Sequence, residues 1–241
     1  MPTNINFKKR LGVPNGTNIF IGGSIPVNTV APVISGSTSL GSVLTSTTGT
    51  WTGSPPPTYT YQWQRNGSPI LGATSSTYTI VAADSAANIT CVVTATNTIG
   101  SASATSNTIT VQTFTAPVNT VTPVVSGSGV VGQTLTTTDG TWTANPSPTY
   151  TYQWQRNNSN IGSATSQTYV LVSADAGTNV RCVVTATNAI GAASANSNAI
   201  TVISYEQSLI DAFKIRVAAD SGVYEAESCQ LAQLTALNII P

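Results

Sequence analysis

The 241-residue chain carries eight basic and eight acidic side chains, 7% of its length, and no histidine. A net charge of zero gives no field to steer a polyanion, so nucleic acid is not an expected partner: such binding needs a stripe of Lys and Arg that displaces counterions. The missing imidazole excludes Ser-His-Asp and Cys-His catalysis and removes the commonest zinc ligand.

At the start of the chain, Lys8, Lys9 and Arg10 precede a polar, Gly- and Asn-rich stretch rather than an apolar segment, so no secretory signal is expected. Phe7, Ile19, Phe20 and Ile21 stand among Gly, Asn and Thr. Residues 1–25 are read as an extended N-terminal arm, too small to bury a core of its own, or equally as a solvated tail. Apolar runs stay far below the roughly 20 residues that cross a bilayer, so no membrane insertion is expected.

From Pro26 the sequence repeats. A shift of 91 residues superimposes Trp51 on Trp142, Trp63 on Trp154, Tyr78 on Tyr169 and Cys91 on Cys182 without a gap. Pro26 to Val111 and Pro117 to Val202 match at 57 of 86 positions, which makes the repeat a whole domain rather than one turn of a solenoid. The expected boundaries are therefore domain 1 over 26–111, a linker over 112–116 and domain 2 over 117–203. Phe114, the one large apolar residue of the linker, is expected at the joint.

Within each copy the period is two. Val43 to Thr48 reads as an early strand. Tyr59, Tyr61 and Trp63 alternate with Thr60, Gln62 and Gln64, placing three aromatics on one face of a half-buried strand. Asn66-Gly67 is a two-residue turn signal, because both residues tolerate positive φ. Tyr78 and Ile80 alternate with Thr77 and Thr79, and Ile89, Cys91, Val93 and Ala95 with Thr90, Val92, Thr94 and Thr96. Asn97 to Gly100 turns the chain and Ser101 to Val111 reads as the last strand. About seven short strands punctuated by Gly, Pro and Asn predict a β-sandwich.

These residues resemble a family. Tyr61-Gln62-Trp63-Gln64-Arg65, followed by Asp84 and Cys91 and repeated with Asp175 and Cys182, resembles the tryptophan strand and later corner of immunoglobulin-like domains. With Gly49-Thr50-Trp51, Tyr78 and Val93 to Gly100, the constellation is similar to the immunoglobulin-like repeats of bacterial adhesins and phage virion proteins. The resemblance covers residues 26 to 203. It implies a mainly β fold, two tandem immunoglobulin-like sandwiches, with Trp51, Trp63, Tyr78, Cys91, Trp142, Trp154, Tyr169 and Cys182 in the cores. Where many relatives place a partner cysteine, this chain has Ser46 and Thr137, so no disulfide within a domain is expected and folding does not depend on oxidation.

From Ser204 the composition shifts to acidic residues and helix formers. Leu209, Ile210, Phe213 and Val217 fall on one stripe, which predicts an amphipathic helix over Glu206 to Ala219. Asp220-Ser221-Gly222 breaks it, and a second helix from about Tyr224 to Leu237 carries Leu231, Leu234 and Leu237. The pair is too small to be stable alone, so its apolar faces are expected to dock on another protein, a second copy or the preceding sandwich, and residues 204–241 are read as an anchor that acts through these side chains.

Chemistry is sparse. Between residues 26 and 203 the carboxylates are Asp84, Asp139 and Asp175, too scattered for a calcium cage or a paired-carboxylate hydrolase. Asp84 and Asp175 are read as turn-capping residues. Trp51 and Trp142 admit either core packing or a sugar-stacking platform, with packing favoured. Asn15, Asn66 and Asn88 match the glycosylation pattern, which is read as coincidental without a secretory signal. No catalytic residue, cofactor or metal is expected. The sequence points to a non-enzymatic phage structural protein on the virion surface, as a capsid decoration, head fibre or tail component. Its expected partners are other virion proteins, a second copy of itself, and host glycans or surface proteins. The alternative reading is an adhesin or stalk on a bacterial cell surface.

Overall fold

The computed structural model describes residues 22–219 and divides the chain into two compact units, Met1–Phe114 and Thr115–Pro241. The first unit contains strands β1 (Ser24–Val30), β2 (Ile34–Ser35), β3 (Val43–Ser46), β4 (Thr50–Ser54), β5 (Thr58–Arg65), β6 (Ser68–Pro69), β7 (Thr77–Thr79), β8 (Asn88–Thr96), β9 (Ser101–Thr105) and β10 (Ile109–Thr110). One antiparallel sheet has the order β2-β3-β7. The other runs β10-β8-β5-β6, with β9 also pairing with β8, and β1 with β4 forms a separate two-stranded ribbon.

The period-two pattern explains why these sheets stack. On β8, Ile89, Cys91, Val93 and Ala95 are all fully buried, while the intervening residues face outward. On β5 burial deepens along the strand from half-buried Tyr59 and Tyr61 to Trp63, which is fully buried opposite Cys91. Leu44 on β3 and Ile34 on β2 close the core from the facing sheet. Each such Leu, Ile or Val side chain contributes about 1.5–3 kcal/mol by leaving water.

The second unit repeats the plan with β11 (Thr115–Val121), β12 (Val125–Ser126), β13 (Thr134–Thr137), β14 (Thr141–Asn145), β15 (Thr149–Arg156), β16 (Ser159–Asn160), β17 (Thr168–Val170), β18 (Asn179–Thr187), β19 (Ala192–Asn196) and β20 (Ile200–Thr201). Its sheets run β12-β13-β17 and β16-β15-β18-β19, with β20 on β18 and β11 on β14. Beyond β20, Ile203 donates to the Gly129 carbonyl at 2.7 Å and accepts from Val131 at 3.0 Å, a parallel bridge centred on Val130. A side chain at Gly129 would collide with the Thr201 carbonyl, so only glycine lets the two segments close. Ser204 then caps the helix α1 (Tyr205–Ala219), accepting the Gln207 N–H at 3.0 Å.

Several boundaries differ from those expected. Each unit has ten strands rather than about seven: the stretch around Trp51 pairs with β1 as a ribbon, β2 and β6 are two-residue strands, and the last strand is split. The last strand, read as continuous over Ser101 to Val111, is broken into β9 and β10 at Ser106 to Thr108. There the Ser106 hydroxyl accepts the Cys91 N–H at 2.9 Å, and an extra residue enters the ladder as a bulge. β1 and β11 begin at Ser24 and Thr115, inside the spans read as arm and linker, because the hydroxyls of these residues accept the Ser54 and Asn145 N–H groups. The second C-terminal helix lies outside the described residues.

Candidate functional site

Each sandwich holds one arginine–aspartate ion pair at a corner. Asp84 closes a single 3-10 turn over Ala82–Asp84 and is fully buried. Its Oδ1 accepts from Arg65 Nε at 2.6 Å, and its Oδ2 accepts from the Tyr78 hydroxyl and the Val81 N–H, both at 2.8 Å. Asp175 repeats the arrangement with Arg156 Nε at 2.7 Å, the Tyr169 hydroxyl at 3.0 Å and the Val172 N–H at 2.8 Å. The Asp84 bond raises the Arg65 pKa, and burial ahead of the carboxylate contact raises that of Tyr78. Each carboxylate is thus occupied by donors on both oxygens and closed off from water. The arrangement holds a turn against the sheet and keeps the carboxylate buried.

A second connection joins the two sheets. Asn107, in the bulge between β9 and β10, accepts the Ile34 N–H at 2.7 Å and donates to the Ile34 carbonyl at 3.1 Å. Asn198 does the same to Val125 at 2.7 and 3.0 Å. At the opposite end Asn97 uses its whole amide: Nδ2 donates to the Ser24 and Pro55 carbonyls, and Oδ1 accepts from Ile99 and Gly100. Among the described residues no buried side-chain nitrogen or oxygen lacks a partner.

The tryptophans divide into two kinds. Trp63 and Trp154 are fully buried, stack on Tyr78 and Tyr169 at 5.5 Å, and donate their indole N–H groups to the Ser75 and Ser166 carbonyls. Tyr78 and Tyr169 are half-buried. Trp51 and Trp142 are half-buried as well, tilted against Tyr59 and Tyr150 at 6.4 Å, with their indole N–H groups donating to the Thr48 and Asp139 carbonyls at 2.7 Å. Cys91 and Cys182 are free and buried, and burial pushes the Cys182 thiol up to about 11. Asn66 and Asn88 bond to one another's neighbourhood: Asn66 Oδ1 accepts the Asn88 N–H and Asn88 Oδ1 accepts the Thr110 hydroxyl.

Immunoglobulin-like describes both units: a three-stranded and a five-stranded antiparallel sheet stacked over a buried tryptophan and cysteine. No protein-family profile matches the chain, and no curated protein matches it in sequence. Similar solved structures are tandem immunoglobulin-like domains. Three N-terminal domains of the highly immunogenic outer capsid protein of bacteriophage RB49 share 20% identity over 72% of this chain, with a TM-score of 0.37. The match covers 59% of that fragment. A chimeric titin Z1Z2 pair shares 17% over 76% of this chain and 98% of its own length, with a TM-score of 0.28. The four N-terminal domains of Dscam1 isoform 6.9 share 17% over 76% and 47%, with a TM-score of 0.25.

Of the candidate anchoring residues, Leu209 is exposed and Ile210 half-buried on α1. The side chains of Phe213 and Val217, and all of Leu231, Leu234 and Leu237, lie outside the described part of the molecule. Among the described residues no helix is long and apolar enough to cross a membrane, and no three His, Cys, Asp or Glu side chains gather around a possible metal position. Sequence reasoning missed three groupings: the Arg–Asp corner, the asparagine clips, and a pairing confined to the second unit, where Tyr152 donates to Asp139 at 2.5 Å. The domain-1 counterpart of Asp139 is Thr48, so the one-position difference between copies was the available signal.

Proposed function

We propose that the chain is a non-enzymatic structural protein that displays two immunoglobulin-like sandwiches on the surface of a phage virion, as a capsid decoration, head fibre or tail-associated component. The observation that carries this reading is how the two sandwiches use their polar groups. Asp84 and Asp175 are consumed in holding the corners, the cysteines are sealed in the cores without a disulfide, and the outward faces of β5 and β15 present Thr and Gln. Such a module needs no oxidising compartment to fold, which suits assembly onto a particle inside a cell. Uncharged hydroxyl and amide faces suit weak contacts with host glycans or surface proteins, multiplied by copy number on the particle. In this reading the residues before β1 form an arm, the two sandwiches follow in the chain, and residues 204–241 attach to other virion proteins or to a second copy.

The test is fractionation of the producing culture with an antibody against the sandwich pair. Co-sedimentation with intact particles, lost on deletion of residues 205–241, is the expected result. Recovery in the cell envelope without particles would instead support the bacterial-surface reading, and recovery only as free protein would contradict both.

A further inference from the structure

Six charged side chains lie between residues 22 and 203, and their pairing leaves one cation over. Arg65 and Arg156 form the two ion pairs of the described residues, with Asp84 and Asp175, and Asp139 accepts from Tyr152. Arg181 stands on the outward face of β18, half-buried, and enters neither ion pair. It is nonetheless held in place. Its Nε donates to Gln155 Oε1 at 2.9 Å, and Gln155 Nε2 in turn donates to Asn160 Oδ1 at 2.9 Å. A guanidinium only donates, so Gln155 must turn its oxygen toward Arg181 and its nitrogen toward Asn160. That orientation leaves the Asn160 amide nitrogen, like Arg181 Nη1 and Nη2, with no acceptor among the described residues. Three strands thereby place one cationic and one neutral donor group side by side, with the arginine ordered before any ligand arrives.

The first unit lacks this device. At the equivalent positions it has Thr90, Gln64 and Pro69, and the Thr90 hydroxyl donates to Gln64 Oε1 at 3.3 Å. The cation and the asparagine that extend the relay are both particular to the second copy.

We propose that the outward face of β15 and β18 is a binding strip for a carboxylate-bearing saccharide, with Arg181 and Asn160 receiving the carboxylate of a hexuronic acid unit. The planar guanidinium offers two parallel N–H donors from its Nη groups, which matches the two oxygens of a carboxylate. The rest of the strip suits sugar rather than peptide or polyphosphate. Thr149, Thr151 and Gln153 on β15 pair in register with Thr187, Thr185 and Val183 on β18, giving hydroxyls and one apolar side chain over about 20 Å with no further charge, while the Gln153 amide nitrogen donates to the Trp154 and Ile161 carbonyls. A polyphosphate draws its affinity from many cations, whereas this face supplies a single one. The assignment rests on the display reading, because contacts this weak are useful only when many copies act together.

The experiment is an NMR titration of the full-length chain with a tetrasaccharide of alternating glucuronate and N-acetylglucosamine, beside its carboxyl-reduced form and a poly-glutamate peptide. Saturable shifts are expected at the Arg181 Nε–H and the Gln155 and Asn160 side-chain amides, with dissociation in the millimolar range, and none with the carboxyl-reduced form. Arg181→Thr installs the residue already present at position 90, so the sandwich tolerates it, and it should weaken binding by about tenfold or more. Thr90→Arg combined with Pro69→Asn should create a second set of shifts around Gln64. Equal shifts with the carboxyl-reduced sugar, equal binding of poly-glutamate, or unchanged binding by Arg181→Thr would each overturn the assignment. These readouts use purified protein, so they fail or succeed apart from the particle fractionation that tests display.

Discussion

Arg65 Nε lies 2.6 Å from Asp84 Oδ1, and the same bond recurs 91 residues later between Arg156 and Asp175. In a protein with so few charges, each sandwich commits an ion pair to one turn. The acid is sealed from solvent while the side chain of the arginine stays 29% exposed, so the two partners are unequal when removed. Arg65→Ala strands a buried carboxylate and should destabilise the first sandwich by about 3–5 kcal/mol. Hydrogen exchange resolved by domain checks this: protection should fall across β5 and β8 and stay unchanged across β15 and β18.

The asparagine clip makes a separate prediction. Asn107 satisfies both backbone groups of Ile34, which is 2% exposed. Asn107→Ala leaves a buried N–H and a buried C=O without partners, each costing about 1–3 kcal/mol. Denaturant titration should show the first sandwich unfolding early, and Asn198→Ala should do the same to the second.

Much of this fold is legible in the sequence because its carriers are local. Tyr59, Tyr61 and Trp63 announce their face by alternation, and Asn66-Gly67 announces a turn, with observed φ values of 48° and 79°. The corner and the clips are not local: Arg65 is 19 residues from Asp84, and Asn107 is 73 from Ile34. Alternation says which side of a strand a residue faces, never which distant atom it meets. The break at Ser106 was hidden for the same reason, since a serine that replaces a ladder bond with its hydroxyl looks like any strand serine. The strip at Arg181 emerges only when the two copies are compared position by position.

Backbone strain differs between the copies at one exposed turn. Ala86 has φ 56°, whereas its counterpart is Gly177 at 73° with nothing near the place a Cβ would occupy. A left-handed conformation costs an L-residue about 1–2 kcal/mol, more than the roughly 0.5–1 kcal/mol that extra glycine freedom costs. Ala86→Gly should therefore raise the stability of the first sandwich by up to about 1 kcal/mol, and Gly177→Ala should lower that of the second by a similar amount. Calorimetry on each variant reads shifts of opposite sign.

High pH should weaken the second sandwich. Burial pushes the Cys182 thiol up to about 11, and burial with the Asp139 hydrogen bond pushes the Tyr152 phenol up to about 12. Both groups are acids that the fold keeps protonated, so above the ordinary thiol range the unfolded chain binds fewer protons than the native one. Their contribution is complete below that range and is lost as pH rises through about 11 and then 12. Denaturation midpoints of the second sandwich should fall over this window. Asp139→Thr, which copies position 48, should bring the Tyr152 step to lower pH in a tyrosinate absorbance titration; an unmoved step would contradict the pairing.

The two sandwiches fold around sealed tryptophan and cysteine cores without help from oxidation. Peptide-resolved thiol labelling of the native chain, with and without reductant, tests it most directly. Cys91 and Cys182 should stay unlabelled until denaturant unfolds their sandwich, at a midpoint that reductant does not move. Rapid labelling of either cysteine in the native protein, or a midpoint that drops on reduction, would contradict it.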